Sequence, residues 1–256
     1  INPDLIESVI SERTKVILPV HLTGRVADMD RIQSIADKHN LFVVEDAAQA
    51  VGAVYRNKKA GSFGIGAGFS LHPLKNLHVH GDGGVVTTNN SNLYEKLLQY
   101  RNHGLINRDE CGLWGINSRL DAVQAGIGNI KLKYIDKWNN RYKEIAKIYT
   151  KNLNGYVSVP IMKEHEEPVF HRFMIRHPER EGLQAFLADN DIETKVNYPI
   201  PLHLHPAAKD LGYKKGDYPV AEELADTILS LPLYPELGDD YVYYVINKII
   251  QFSKNK

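Results

Sequence analysis

The stretch KVILPVHLTGRVADMDRIQSIADKHNLFVV, residues 15–44, decides the fold class. Its first part, residues 15–21, is an apolar run that predicts a buried strand, and residues 41–44 predict a second one. The segment between them has apolar residues at helical spacing: Met29, Ile32, Ile35 and Ala36. A strand, a helix and a strand joined by short connections are typical of a parallel sheet covered by helices. We therefore expect an α/β protein.

The composition excludes several classes of protein. The 256 residues include 31 Lys and Arg against 31 Asp and Glu, and this balance argues against a dedicated nucleic-acid-binding protein. No apolar run approaches the roughly 20 residues needed to span a bilayer, so a membrane protein is not predicted. The single cysteine, Cys111, excludes an intrachain disulfide and a cysteine-based zinc site and favours a reducing compartment, so we expect a cytoplasmic protein.

The pattern of elements predicts two domains. A long helical stretch over residues 120–153 is expected to connect them. Residues 1–135 are expected to form the C-terminal portion of a large domain, and residues 136–256 a smaller C-terminal α/β domain. In the second, residues 169–175 and 192–196 predict strands.

Three residues near predicted strand ends are candidates for chemistry, because ligands of such sheets bind beyond the carboxyl ends of the strands. Asp46 stands at such an end and favours a cationic partner, although an N-terminal helix cap is an equal alternative. Lys75 follows Pro73 among apolar residues; desolvation would favour the neutral amine that forms a Schiff base, but most lysines are solvated. The hydroxyl of Ser70 suits a phosphate.

The histidines form two sequence clusters, which raise the question of a metal site: His72, His78 and His80, and His203 and His205. Neither cluster has carboxylates at helical ligand spacing, so we predict no metal. No GxSxG elbow, Walker loop or GxGxxG follows a predicted strand. The sequence therefore lacks the motifs of hydrolases, nucleotide triphosphatases and Rossmann dehydrogenases.

An ordered set of motifs carries more information than any single residue. In chain order they are VVEDAAQAVGA (43–53), GSFGIGAGFSLHPLKNL (61–77), GDGGVVTTN (81–89), RNHG (101–104), GINSRLDAVQA (115–125), YPIPLH (198–203), PVAEELA (219–225) and LSLPLYP (229–235). This set resembles the DegT/DnrJ/EryC1/StrS family of sugar aminotransferases and covers nearly the whole chain. The resemblance implies the fold of the pyridoxal 5'-phosphate (PLP)-dependent transferases, similar to aspartate aminotransferase, with a mainly parallel sheet flanked by helices.

The resemblance also implies roles for particular residues. Lys75 is similar to the family lysine that bonds to PLP and then moves a proton between substrate and cofactor. Asp46 is similar to the aspartate that keeps the pyridine nitrogen protonated, and Gln49 to the glutamine that contacts the ring. Ser70 is similar to the phosphate-binding serine. Asn117 is similar to the asparagine that reaches the cofactor phosphate of the neighbouring subunit, which implies a homodimer with shared active sites.

The implied activity moves an amino group from an amino acid, with glutamate as the expected donor, to a nucleotide-linked keto-sugar for surface polysaccharide or secondary-metabolite synthesis. Tyr198 and His203 are candidate substrate-binding residues, with a packing role equally open. A sugar dehydratase of the same family is one alternative, but those enzymes have histidine where this chain has Lys75. A non-catalytic binding module that keeps the fold is another.

The sequence also departs from the family pattern. Thr23 stands where tyrosine is common, Val51 where histidine is frequent and Ile65 where aspartate is frequent, and these changes concern substrate fit more than cofactor chemistry. The chain opens without a methionine at Asn2-Pro3, a typical helix start, and after the phosphate-binding turn and stacking aromatic of the family. We therefore expect an N-terminal portion to be missing.

Overall fold

The computed structural model describes residues 1–254. The chain divides into two compact units, one of residues 1–139 with 163–171, the other of residues 140–162 with those from Arg172 onward. The helices are α1 (Pro3–Ile6), α2 (Met29–Lys38), α3 (Ser91–Tyr100), α4 (Ala122–Leu132), α5 (Ile135–Leu153), α6 (Arg180–Ala188), α7 (Pro219–Thr227) and α8 (Asp239–Lys254). The strands are β1 (Val16–Ile17), β2 (Phe42–Asp46), β3 (Val54–Tyr55), β4 (Lys58–Lys59), β5 (Gly66–Ser70), β6 (Gly84–Thr87), β7 (Glu166–Glu167), β8 (Phe173–Arg176) and β9 (Ile228–Leu231).

The main sheet of the first unit has the order β1-β2-β5-β6. β1, β2 and β5 run parallel and β6 is antiparallel to β5, which confirms the predicted α/β class with a mainly parallel sheet. α2 buries Met29, Ile32 and Ala36 of the predicted set, and Ile35 is partly buried beside them. It ends where Asn40 adopts a left-handed φ of 52° and the Leu41 amide donates to the Ala36 carbonyl.

The prediction of a buried strand over residues 15–21 is wrong in part, because only one side of it is buried. The paired residues Val16 and Phe42 are exposed, whereas the next pair, Ile17 and Val43, is buried in the core with α2. Successive side chains of a strand point to opposite faces, and α2 covers one of these faces. The apolar run predicts a strand that is buried throughout, but its side chains alternate between a buried and an exposed face of the sheet.

The helical stretch over residues 120–153 is also divided. α4 ends at Leu132 and α5 begins at Ile135. The amides of Lys133 and Tyr134 donate to carbonyls three residues earlier, and such bonds tighten and end a helix. Both halves keep helical spacing, so the sequence pattern does not show the break.

Two strands predicted in the second domain are corrected. Residues 169–175 do not form one strand, because Phe170 has a φ of 49° and β8 begins only at Phe173. In residues 192–196 only Lys195 makes a bridge, to Ser230, while β9 takes its full pairing from β8. Residues 192–196 are therefore an extended segment rather than a strand.

The second unit has a core of its own around Tyr149. This side chain is fully buried, packs on Phe173 at 5.1 Å between ring centroids, and donates its hydroxyl to the Pro232 carbonyl at 3.0 Å. Burial raises the pKa of Tyr149 well above its usual range. Nowhere in residues 1–254 is a helix both long enough and apolar enough to cross a membrane.

Candidate active site

Asp46 and Ser70 lie on one face of the main sheet, at the carboxyl ends of β2 and β5. Asp46 is in register with Gly68, and Ser70 follows Gly68 by two residues. Neighbours in register and residues two apart on a strand share a face, so the three side-chain positions point the same way. We call this surface the site face. With strands about 4.8 Å apart and a rise of about 3.3 Å per residue, the Cα atoms of Asp46 and Ser70 are roughly 8 Å apart.

Lys75 lies in a tight turn directly after β5. The Lys75 amide donates to the His72 carbonyl at 2.9 Å, and the Leu74 amide donates to His72 Nδ1 at 3.2 Å. The His72 amide in turn donates to the Ser70 hydroxyl at 3.3 Å. The turn thus keeps half-buried Lys75 beside the end of the strand that carries Ser70.

Gln49 connects the end of β2 to a neighbouring loop. Its Oε1 accepts a hydrogen bond from the Thr23 amide at 2.6 Å, in a segment where Thr23 has a φ of 61°. Asp46 Oδ1 accepts from the Ala48 amide at 3.0 Å. Because residues 47–50 form a turn, the alternative of Asp46 as the cap of an α-helix is not realised.

Asn117 lies in the exposed loop between α3 and α4. It forms a bridge with Asn102, and its Oδ1 accepts from Arg119 Nε at 3.1 Å. Arg119 also donates to Asn102 Oδ1 at 2.9 Å. With the acceptor of the Asn117 side chain engaged, its amide nitrogen remains the group that can donate to an anion.

Tyr198 and His203 belong to the second unit. Tyr198 is exposed, but the side chain of His203 is largely buried. His203 Nε2 lies 2.9 Å from Glu222 Oε1, and its ring packs edge-on against Tyr218 at 4.8 Å. Glu222 also accepts from the Gly216 amide at 2.8 Å, so His203 helps to hold this loop together.

Sequence reasoning missed a buried hydrogen bond between a histidine and a carboxylate directly beside Asp46. Glu45 and His21 are 1% and 0% exposed, and His21 Nε2 lies 3.0 Å from Glu45 Oε2. Because His21 Nδ1 accepts from the Ala27 amide at 3.2 Å, the ring proton sits on Nε2 and is donated to Glu45. Strand alternation could have shown that Glu45 points away from the site face.

The carboxylate of Glu45 also organises the glycine-rich loop before β5. It accepts from the backbone amides of Gly61 at 2.7 Å, Phe63 at 2.7 Å and Gly64 at 3.0 Å. Burial by itself raises the pKa of Glu45, but the hydrogen bonds from His21 and these amides outweigh it and lower the pKa. Glu45 therefore remains ionised while fully enclosed.

The residues on the site face and in the turn beside it fit PLP. Asp46 offers a carboxylate for a protonated pyridine nitrogen, Ser70 a hydroxyl for a phosphate oxygen, and Lys75 an amine for the aldehyde. A Cβ built on Gly68, between Asp46 and Ser70, would meet no atom within 4 Å, so the strand leaves open space there. Among residues 1–254, no three His, Cys, Asp or Glu side chains are grouped as a metal site requires.

An acid, a hydroxyl and a lysine at the carboxyl edge of a parallel sheet are groups that a PLP-dependent enzyme needs. Residues 1–250 match the DegT/DnrJ/EryC1/StrS aminotransferase family. The chain belongs to this family and is a PLP-dependent aminotransferase.

Known proteins are similar to this chain over nearly its whole length. The chain is 43% identical to the pleiotropic regulatory protein of Geobacillus stearothermophilus, covering 100% of this chain and 70% of that protein. It is 41% identical to the dTDP-3-amino-3,6-dideoxy-alpha-D-galactopyranose transaminase of Aneurinibacillus thermoaerophilus, covering 99% and 69%. The solved structure of S. venezuelae DesV, in complex with a ketimine intermediate, superimposes with a TM-score of 0.96 at 39% identity, covering 99% and 69%.

Two glycine substitutions distinguish effects on folding stability from effects on PLP binding. We expect Gly68→Ala to leave the free energy of unfolding within about 1 kcal/mol of the original, since alanine suits a strand better than glycine. It should weaken PLP binding by roughly tenfold, because an intruding methyl group costs about 1–3 kcal/mol in a packed site. Urea denaturation and PLP titration measure the two effects.

Gly64→Ala is the matched contrast. A Cβ at Gly64 would collide with the backbone carbonyl of Val43, so we expect a loss of about 1–3 kcal/mol of folding free energy. If Gly68→Ala bound PLP as tightly as the original chain, the assignment of the open space to the cofactor would be wrong.

Proposed function

We propose that this chain transfers an amino group from an amino acid, with glutamate as the expected donor, to a nucleotide-linked keto-sugar. The observation that carries the proposal is the convergence of Asp46, Ser70 and Lys75 at one sheet edge. The substrate class is supported by relatives, which include a dTDP-amino-sugar transaminase and a UDP-keto-sugar aminotransferase. A role in surface polysaccharide or secondary-metabolite synthesis in the cytoplasm accords with such a substrate.

Each residue of the site has a role that follows from its chemistry. When bound, PLP supplies an electron sink that makes a proton on the substrate carbon removable. Lys75 would hold the cofactor through its Nζ amine and, once the amino group of the substrate had displaced it, would be free to move that proton. Asp46 accepts a hydrogen bond from the pyridine nitrogen and keeps it protonated, while Ser70 donates to the phosphate. Gln49 contacts the ring and holds the Thr23 loop in place.

The proposal includes a homodimer with shared sites. Asn117 donates its side-chain amide to the cofactor phosphate of a second copy, and Arg119 fixes its orientation. On the substrate side, Tyr198 and His203 stay candidates, with exposed Tyr198 the better placed to touch a ligand because His203 is held by Glu222.

The proposal predicts that turnover depends on the nucleotide. We expect conversion of glutamate to 2-oxoglutarate only when a dTDP- or UDP-linked 3- or 4-keto-sugar is present. Contacts to the distant nucleotide orient the keto carbon, so the free keto-sugar should react at least about 10²-fold more slowly. Coupled detection of 2-oxoglutarate measures the rate. Equal rates with the free and the nucleotide-linked sugar would refute this substrate class.

A further inference from the structure

A buried polar network adjoins Lys75 on its C-terminal side. It consists of Asn76, Asn139 and His171, which are 8%, 4% and 9% exposed and are brought together from distant parts of the first unit. Asn76 Nδ2 donates to Asn139 Oδ1 at 3.1 Å and to the Val169 carbonyl at 3.3 Å. Buried polar groups that are fully bonded in this way hold their partners in one arrangement.

The pattern of donors and acceptors fixes the orientation of each group. Because Asn76 Nδ2 faces two acceptors, Asn76 Oδ1 must accept, and His171 donates to it through Nδ1 at 3.2 Å. Asn139 accepts from Asn76 and donates its Nδ2 to the Val51 carbonyl at 2.9 Å. A flipped Asn76 amide would set its oxygen against the Val169 carbonyl oxygen, which are two acceptors with no hydrogen between them.

The turn that holds Lys75 is therefore fixed at both ends. On the N-terminal side, the bonds of His72 tie it to Ser70 and to Leu74. On the C-terminal side, the next residue after Lys75 is locked into the network through its side chain. A lysine side chain has four rotatable bonds, so the position of its backbone decides which points its amine can reach.

We propose that the Asn76–Asn139–His171 network fixes the backbone of the Lys75 turn and thereby determines which positions over the site face the Lys75 amine can reach. Asn76 acts through the backbone that it shares with Lys75 and is a positioning residue rather than a catalytic one. The inference rests on the proposed role of Lys75 as the residue that bonds to PLP. It goes beyond that role, because it makes the rate of attachment depend on side chains that do not touch the cofactor.

The test measures covalent attachment rather than turnover. PLP is mixed with the full chain, the growth of the visible band is followed, and borohydride reduction with peptide mapping counts the label on Lys75. We expect Asn76→Ala to slow attachment at Lys75 by about tenfold or more, because small misplacements of reacting groups carry large kinetic costs. Asn139→Ala, which leaves the turn itself intact, should slow it by a smaller factor.

Tyr55→Phe is the matched control. It removes the hydroxyl of a buried residue in the same unit, which donates to Asp28 at 3.0 Å, and leaves the residues of the turn and of the network in place. It should attach PLP at the original rate while losing comparable thermal stability. Slowing in the two asparagine variants but not in Tyr55→Phe supports the proposal; if Asn76→Ala does not fold, Asn139→Ala decides.

Three outcomes overturn the inference, and they differ in whether they also reject the proposed role of Lys75. If folded Asn76→Ala and Asn139→Ala attach PLP at the original rate, only the positioning role is rejected. If the original chain shows no label on Lys75, the proposed role of this lysine as the residue that bonds to PLP is rejected as well. Equal slowing in Tyr55→Phe would show a general effect of stability and would also reject the positioning role.

Discussion

Lys75→Ala is expected to lower the rate of amino transfer by at least about 10³-fold, because it removes both the amine that bonds to PLP and the group that moves the proton. The His72 and Ser70 bonds and the backbone contacts of the turn are all retained in this variant, so the fold should persist. The measurements are the steady-state rate with glutamate and the borohydride-trapped label on residue 75.

Lys59→Ala provides the control, since Lys59 is an exposed lysine of the first unit on the short strand β4. It should keep the full rate and the label. Retention of transfer in Lys75→Ala would show that another amine carries the chemistry and would end the assignment of Lys75.

The same variant tests the shared site. A chain with Lys75→Ala keeps Asn117, and a chain with Asn117→Ala keeps Lys75, so a mixed dimer contains one site with both residues. We expect each variant to be impaired alone and a co-expressed pair to regain part of the lost activity. Isolated mixed dimers with no more activity than the weaker parent would contradict the proposal that Asn117 serves the neighbouring site.

Glu45→Gln is expected to cost about 1–3 kcal/mol of folding free energy or more, the penalty for leaving buried hydrogen-bonding groups without their charged partner. The amide would replace an acceptor that receives hydrogen bonds from His21 and three backbone amides with a group that must donate on one side. Urea denaturation of the original and variant chains gives the difference. Glu95→Gln, on the exposed surface of α3, should change stability by less than about 0.5 kcal/mol.

The contribution of Glu45 to the free energy of unfolding depends on pH in a definite direction. The folded chain lowers the pKa of Glu45 below the 4.5 of an unfolded glutamate. A lowered pKa stabilises the fold fully above the unfolded value and loses this effect as the pH falls through the folded pKa. The stability gap between the original chain and Glu45→Gln should therefore stay constant from neutral pH to about 5 and shrink below 4.5. A gap that does not change into strongly acidic solution would refute the lowered pKa.

The parts of the fold that depend on local pattern could be predicted from the sequence. The spacing of Met29, Ile32 and Ala36 predicted α2, and the apolar residues before Asp46 placed it at a strand end. Lys75 stood out through the family motif rather than through its own surroundings. In each case the signal lies within a few residues of the feature.

Contacts between distant residues could not be predicted in this way. Asn76 meets Asn139 across 63 positions and His171 across 95, and a single sequence does not show which polar side chains meet. The same reason applies to residues 192–196, where the pattern fits a strand but the backbone pairs once. Whether a segment becomes a strand depends on its neighbour as much as on its own residues.

Glu45 and Asp46 are adjacent in the chain, yet one is enclosed with His21 and the other faces the opposite side of the sheet. Removing one residue from the middle of β2, such as Val44, would exchange their sides. Asp46 would then enter a shell of backbone amides built for a longer side chain, and Glu45 would take the place of Val44 beside Gly66. Substitutions along β2 can therefore change one side chain at a time, whereas a single-codon insertion or deletion would lower folding stability and disrupt the site face together.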